Sequence, residues 1–280
     1  MPSFDTPEPI SVTAYVYAGS LQLIASDRPD TVVEVRPRAP KKDLDVRAAD
    51  QTEVTYAGGV LTVTTPKANL LGRGGTVDVT VELPTGSRVD MTGTGSSLIG
   101  EGRLGEVRVK TSAGDVRLDT TGPLHLTAPH GQTTVERVEG AAEITSSTGN
   151  LRVGVIDGHA VLKNSHGATT VGTVTGELRV SGANGSIDVA RAESSVTGTA
   201  TNGALRVAEV TRGEVQLETS NGSIEIGIRS GTAAWLDVNS HRGHVRNTLA
   251  ASEAPEPTEE TVKVRARSNW GNIDVRRAKA

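Results

Sequence analysis

The chain has 280 residues, a formal net charge of −4, 32 glycines, no cysteine, and only six aromatic residues: one Phe, three Tyr and two Trp. Without cysteine there are no disulfides and no thiol chemistry, which fits a reducing compartment. Basic runs and aromatic clusters are both lacking, which argues against the charged grooves and stacking platforms of nucleic-acid binders. No stretch approaches the roughly 18 apolar residues of a membrane span.

Residues 1–9 show neither the basic n-region nor the apolar h-region of a secretory signal, so cytoplasmic residence is the expectation. Apolar and alternating runs predict strands over residues 10–17, 20–26, 31–36, 52–56, 60–64 and 76–83. Turns are expected at Ala18-Gly19, Arg28-Pro29-Asp30 and Ala57-Gly58-Gly59. Residues 1–91 follow no repeat and read as an irregular β-strand cap. Residues 66–75 read as an exposed loop. Its Gly72-Arg73-Gly74-Gly75 precedes a strand, whereas a phosphate-binding loop would precede a helix.

Residues 92–250 are organised by a comb of glycines. Glycine stands at 105, 114, 122, 131, 140, 149, 158, 167, 176 and 185, and, after Ser194, at 203, 213, 222 and 231. A step of about nine residues holds a short strand and a turn but no helical repeat. Alternate units differ in kind, so the full repeat is about 18 residues. Taking Gly185 as an origin, the apolar positions are Leu178, Val180, Ile187 and Val189. Around Gly167 they are Ala160, Leu162, Thr169 and Val171. The same four positions recur in successive coils with polar residues between them, which is period-two alternation. A slip of one residue would turn the core outward, so the register is set.

These features predict an all-β fold: a right-handed parallel β-solenoid, or β-helix, with about 18 residues and two strands per coil. Asn184, Asn202 and Asn221 precede origin glycines in successive coils, where Asn-Gly suits tight turns and the stacked amides suit a ladder. An antiparallel hairpin array is the lesser reading. On the outer face, Asp188, Arg206, Glu225, Arg246 and Asp274 alternate in sign, so stacking in chain order makes opposite charges neighbours about 4.8 Å apart. Residues 251–260, acidic and Pro-rich, read as a solvated loop, and 261–280 as a final coil and tail of one continuous domain.

The chain also resembles a known family, through Ser3-Phe4-Asp5-Thr6-Pro7, Ser26-Asp27-Arg28-Pro29-Asp30-Thr31-Val32-Val33-Glu34-Val35, Gly102-Arg103-Leu104-Gly105-Glu106 and the segment from Gly227 to Val238. These are similar to bacterial, especially actinobacterial, β-strand-repeat proteins grouped as a putative-adhesin domain of unknown function. The resemblance implies a β-helical fold and no catalytic residue.

No catalytic site is expected. His130 and His166 share a turn position but would lie two coils apart, about 9.6 Å, too far for one metal. His241 and His244 lack a third ligand, and the calcium β-roll pattern is missing. Asp188 and Glu225 are separated by Arg206, so paired-carboxylate glycan cleavage has no basis there. No metal or cofactor is therefore expected. What remains is Trp235, His241, Arg242, His244 and Trp270 near the C-terminal end, either covering the last coil or forming a recognition patch. The leading function is a non-enzymatic binding or scaffold protein with a protein partner or self-association. The alternatives are a cell-surface adhesin, a glycan-active protein, for which carbohydrate binding has no support in the sequence, and a filament-forming β-helix.

Overall fold

The computed structural model describes residues 1–67, 74–249 and 260–279. The chain divides into two compact units, Met1–Glu139 and Gly140–Ala280. Among the described residues there is one helix, and the rest of the regular structure is strand.

The first unit contains β1 (Ser3–Asp5), β2 (Ser11–Ser26), β3 (Asp30–Pro37), α1 (Asp43–Asp50), β4 (Glu53–Ala57), β5 (Val60–Thr64), β6 (Val77–Pro84), β7 (Arg88–Arg103), β8 (Val107–Lys110), β9 (Val116–Thr121), β10 (Leu124–His130) and β11 (Thr133–Val138). The expected strands 10–17 and 20–26 are one continuous strand, β2, which passes through Gly19 at φ +133° without ending. β2 and β7 run parallel along their whole length, pairing Val12 with Val89 and Leu21 with Leu98. Regular stacking therefore reaches into residues 1–91, which are more ordered than an irregular cap. The other edge of β2 takes β5 and β6, also parallel. Antiparallel strands β4, β3 and β1 then cover that side.

Helix α1 was not expected from the strand pattern. It carries Asp43 and Asp45 in its first turn and Arg47 in its last, each complementing the helix dipole. Asp45 is buried, and its two carboxylate oxygens accept the backbone N–H groups of Thr76 (3.0 Å) and Ala39 (3.2 Å). These hydrogen bonds tie the helix to both chain segments that flank it in space.

The second unit contains β12 (Ala142–Thr148), β13 (Leu151–Ile156), β14 (Ala160–His166), β15 (Thr169–Val174), β16 (Leu178–Asn184), β17 (Ile187–Ala192), β18 (Val196–Asn202), β19 (Leu205–Val210), β20 (Gly213–Asn221), β21 (Ile224–Ile228), β22 (Thr232–Arg242), β23 (Val245–Asn247), β24 (Glu260–Trp270) and β25 (Ile273–Arg277). Among the described residues the strands of this unit pair in parallel. Even-numbered strands stack on even and odd on odd, as two strands per coil require. The inward rows are those read from the sequence: Leu178, Val180, Ile187 and Val189 are buried, as are their counterparts in the neighbouring coils.

The glycine comb has a steric cause. A Cβ on Gly185 would lie 2.1 Å from the carbonyl oxygen of Gly167, and one on Gly203 would lie 2.0 Å from that of Gly185. Each glycine is pressed against the one below. No non-glycine residue among those described has positive φ, so Asn184 keeps a strand backbone while Gly185 alone, at φ +144°, turns the corner. The Asn-Gly pairs are coil corners, not hairpins.

The last coils depart from chain order. β20 pairs with β24 and β24 pairs with β22, while β21 pairs with β25 and β25 with β23. Residues 260–277 thus lie between the two coils that precede them in sequence. This corrects the expected charge row. Glu225 neighbours Asp274, and Arg246 lies beyond it. The like charges are offset by Arg206, 3.6 Å from Glu225, and by Arg276, which hydrogen-bonds the same carboxylate and holds it below the usual range. Residues 68–73 and 251–259, from the two expected loops, lie outside the described residues, and Glu260 already belongs to β24.

Candidate functional site

The inserted coil brings together side chains that are distant in sequence. On the outer face of β20, β24 and β22, cross-strand rows run Glu214–Lys263–Trp235, Gln216–Arg265–Asp237 and Glu218–Arg267–Asn239. Alternation sends these residues outward while Val215, Val264, Leu217 and Ala266 fill the core. Trp235 is 66% exposed. Together with Glu214, Lys263, Arg265 and Asp237 it lines a shallow cleft of about 270 Å³.

Arg267 grips Asp237 with two hydrogen bonds of 2.6 and 2.7 Å to the carboxylate and one of 2.7 Å to its backbone oxygen. Arg265 approaches the same carboxylate at 3.5 Å. Arg267, and after it Arg265, holds Asp237 below the usual carboxylate range. At this exposure the pairing orients side chains more than it stabilises the fold. The result is a flat aromatic group beside fixed charges of both signs.

The other anticipated residues lie elsewhere. Arg242 is seven residues further along β22 than Trp235, about 23 Å at strand rise. Its guanidinium sits 4.3 Å from the ring centre of Trp270. Trp270 is also the rung after Asn221 in a ladder where Asn221 Nδ2 donates to Asn202 Oδ1 and Asn202 Nδ2 to Asn184 Oδ1, both at 2.9 Å. Trp270 therefore continues a stack along one corner. His241 and His244 are exposed nearby, and the His244 backbone N–H donates to Asn272 Oδ1 at 2.9 Å. The five residues form two groups, with Trp235 in one and Arg242 and Trp270 in the other.

Sequence reasoning did not find Lys263, Arg265, Asp237 and Glu214 because it assumed stacking in chain order. A signal was present. Glu214 and Glu218 alternate in step with Lys263, Arg265 and Arg267, a charge match that favours β20 beside β24.

A second row was also missed. Ser240 donates to the carbonyl of Gly271 (2.7 Å), Ser268 to that of Gly222 (2.9 Å) and Thr219 to that of Gly203 (3.1 Å). These hydroxyls fasten each corner to its neighbour. In the first unit a larger cleft, about 600 Å³, is lined by Tyr15, Tyr17, Pro66 and Lys67 among others. Among the described residues no group of three or more His, Asp or Glu is placed to hold a metal ion. No described helix is long and apolar enough to cross a membrane.

A family model described as Toastrack DUF4097 matches residues 22–279. The chain belongs to this Toastrack family. No curated protein matches the sequence. Among solved structures, a putative lipid binding protein from Parabacteroides distasonis aligns over 99% of this chain and 96% of its own, at 11% identity and a TM-score of 0.42. A putative adhesin from Bacteroides fragilis aligns over 98% and 95%, at 14% identity and a TM-score of 0.38. A putative cell adhesion protein from Clostridium sporogenes aligns over 99% and 98%, at 10% identity and a TM-score of 0.24. Likeness this distant does not transfer a ligand to this Toastrack chain, so the reading of its site rests on its own residues.

Proposed function

We propose that this Toastrack protein is a non-enzymatic binding or scaffold module that recognises a protein partner through the outer face of β20, β24 and β22. One observation carries the reading: Trp235 is 66% exposed in a cleft whose other walls are Lys263, Arg265, Asp237 and Glu214. Exposed Trp and Arg are the commonest anchors of protein interfaces. The neighbouring charges of both signs suit a partner with complementary charges around an apolar contact. The inward rows are spent on the core, and the corner rows on glycine contacts and amide or hydroxyl bonds. The coils are taken as right-handed, following the general preference of parallel crossovers.

Affinity capture from the native cell with the full chain tests the proposal. The expected result is a stoichiometric protein partner held by wild type and lost with Trp235→Ala while thermal unfolding is unchanged. Capture that does not respond to Trp235→Ala or Arg265→Ala sinks the assignment to this face. Binding to purified glycans in place of a protein would favour the carbohydrate alternative. Fractionation separates a cytosolic scaffold from a surface adhesin.

A further inference from the structure

The sequence contains three Asn-Gly pairs, Asn184-Gly185, Asn202-Gly203 and Asn221-Gly222, and all three stand at the same corner of successive coils. Asn-Gly is the dipeptide in which an asparagine amide is most readily lost, because glycine has no side chain to obstruct attack of its backbone nitrogen on the Asn Cγ. Here the attacking group is engaged elsewhere. The Gly185 N–H donates to the Asn202 carbonyl oxygen (2.9 Å), the Gly203 N–H to that of Asn221 (2.8 Å) and the Gly222 N–H to that of Trp270 (2.8 Å). An N–H aimed at the next coil is turned away from its own asparagine and does not readily give up its proton. The amides are held as well. Among the described residues the ladder clamps Asn202 on both sides, at Oδ1 by Asn221 and at Nδ2 by Asn184, whereas it holds Asn184 and Asn221 on one side each. All three side chains are exposed to water, the second reactant.

We infer that this corner is a latent modification site, shut by stacking, at which asparagine becomes aspartate or isoaspartate when the coils part. In the step at Asn221, the Gly222 nitrogen bonds to Asn221 Cγ and loses its proton to solvent base. The Cγ–Nδ2 bond breaks, and the amide leaves as ammonia with a proton taken from water. Water then opens the resulting succinimide at either carbonyl, so the overall change consumes water and releases ammonia. Asn221 is the gated member, because the lock on Gly222 is supplied by β24, the strand inserted from later in the chain. The product cannot return to the ladder. A carboxylate has no N–H for Asn202 Oδ1. Isoaspartate adds a backbone carbon at a corner where even a Cβ on Gly222 would lie 2.0 Å from the Gly203 carbonyl oxygen. Deamidation at Asn221 therefore marks, irreversibly, a chain whose inserted coil has come away. The site shares no residue with the Trp235 cleft, so it stands apart from the partner surface proposed above.

Full-length protein is incubated at mildly alkaline pH with and without urea, digested with trypsin and read by peptide mass spectrometry. Trypsin separates the three pairs into Val180–Arg191, Ala192–Arg206 and Gly213–Arg229. The quantity measured is the protection of each site, its rate in urea divided by its rate in the folded chain. Protection of about tenfold or more is expected at every site, with the greatest at Asn202. Gly271→Ala drives a methyl group to within 2.0 Å of the Gly222 carbonyl oxygen and leaves all three Asn-Gly pairs intact. It is expected to speed the reaction at Asn221 by about tenfold while Asn184 and Asn202 stay protected. If that variant does not fold, Ser268→Ala removes the hydroxyl bond to the same oxygen and is expected to move Asn221 in the same direction by a smaller factor. Folded wild type that reacts at the urea rate overturns the inference. So does an order in which Asn202 is not the most protected, or a folded variant that speeds all three sites equally or leaves Asn221 unchanged.

Discussion

Asn221 lies directly beside Trp270 across parallel strands, and Arg242 lies on the far side of Trp270. In chain order Arg242 comes first. The relationship shows that the stretch ending in Arg277 is an interior coil of the second unit.

The first prediction concerns that coil. A chain ending at Leu249 lacks β24 and β25, the only sheet partners of β22 and β23 among the described residues. Stacking in chain order would make the truncation a harmless trimming. The observed order makes it a gap, so β22 and β23 are expected to unfold with it. Limited trypsin digestion should cleave rapidly at Arg229, Arg242 and Arg246 in the truncated chain and slowly in the full one.

A second prediction separates two kinds of glycine. Gly203→Ala would drive a methyl group to within 2.0 Å of the Gly185 carbonyl oxygen, forcing two coils apart. Overpacking of this type is expected to cost about 3 kcal/mol or more. Gly231→Ala meets nothing within 4 Å and is strained only by its backbone, φ +80°. About 1–2 kcal/mol is expected there. Urea denaturation of the two variants should rank them in that order.

The two tryptophans should behave differently. Trp270 stacks between Asn221 and the Arg242 guanidinium, so Trp270→Ala loses a cation–π contact of about 0.5–1 kcal/mol together with side-chain packing. Trp235→Ala removes a side chain that is mostly in water, and its effect on stability is expected within about 0.5 kcal/mol of zero. Thermal unfolding followed by circular dichroism checks both.

A fourth prediction is a pH dependence centred on Asp45. The Thr76 N–H foremost, with Lys42 and the Ala39 N–H, holds its carboxyl below the usual range against the opposing effect of burial. A carboxyl lowered in the folded state contributes stability that is complete above its unfolded value. That contribution is lost as pH falls through the folded value. Acid should therefore loosen α1. Asp45→Asn turns one of the two acceptor oxygens into an NH2 donor, leaving either the Thr76 or the Ala39 N–H without an acceptor, which costs about 1–3 kcal/mol at neutral pH and removes that part of the acid sensitivity. Denaturation at neutral and acidic pH, for wild type and variant, measures it.

What was legible in the sequence was whatever repeats. Leu178, Val180, Ile187 and Val189 are buried as their spacing requires, and the amides of Asn184, Asn202 and Asn221 form the ladder that their shared position suggests. Helix α1 was not legible from strand alternation, although Asp43, Asp45, Arg47 and the Ala48-Ala49 pair are ordinary helix signals. The place of residues 260–277 was illegible for a deeper reason. Because every coil offers the same inward rows, Val262, Val264 and Ala266 fit equally well at the end of the stack or inside it. Only the outer charges, Glu214 and Glu218 against Lys263 and Arg267, distinguish the two positions. The same ambiguity hid the charged neighbours of Trp235, which meet it only because the inserted strand carries the cations.

The first unit contains a similar inversion: β2, made first, lies between β5–β6 on one side and β7 on the other, although those segments follow each other in sequence. In the second unit β24 and β25, made after β22 and β23, are the strands enclosed. A ribosome delivers β22 and β23 before β24 exists. The place of β24 and β25 beside β20 and β21 therefore stays unfilled until residues 260–277 are made. The turn formed by residues 260–277 is threaded in after the coil that lies outside it, so a chain interrupted before residue 260 carries an open seam.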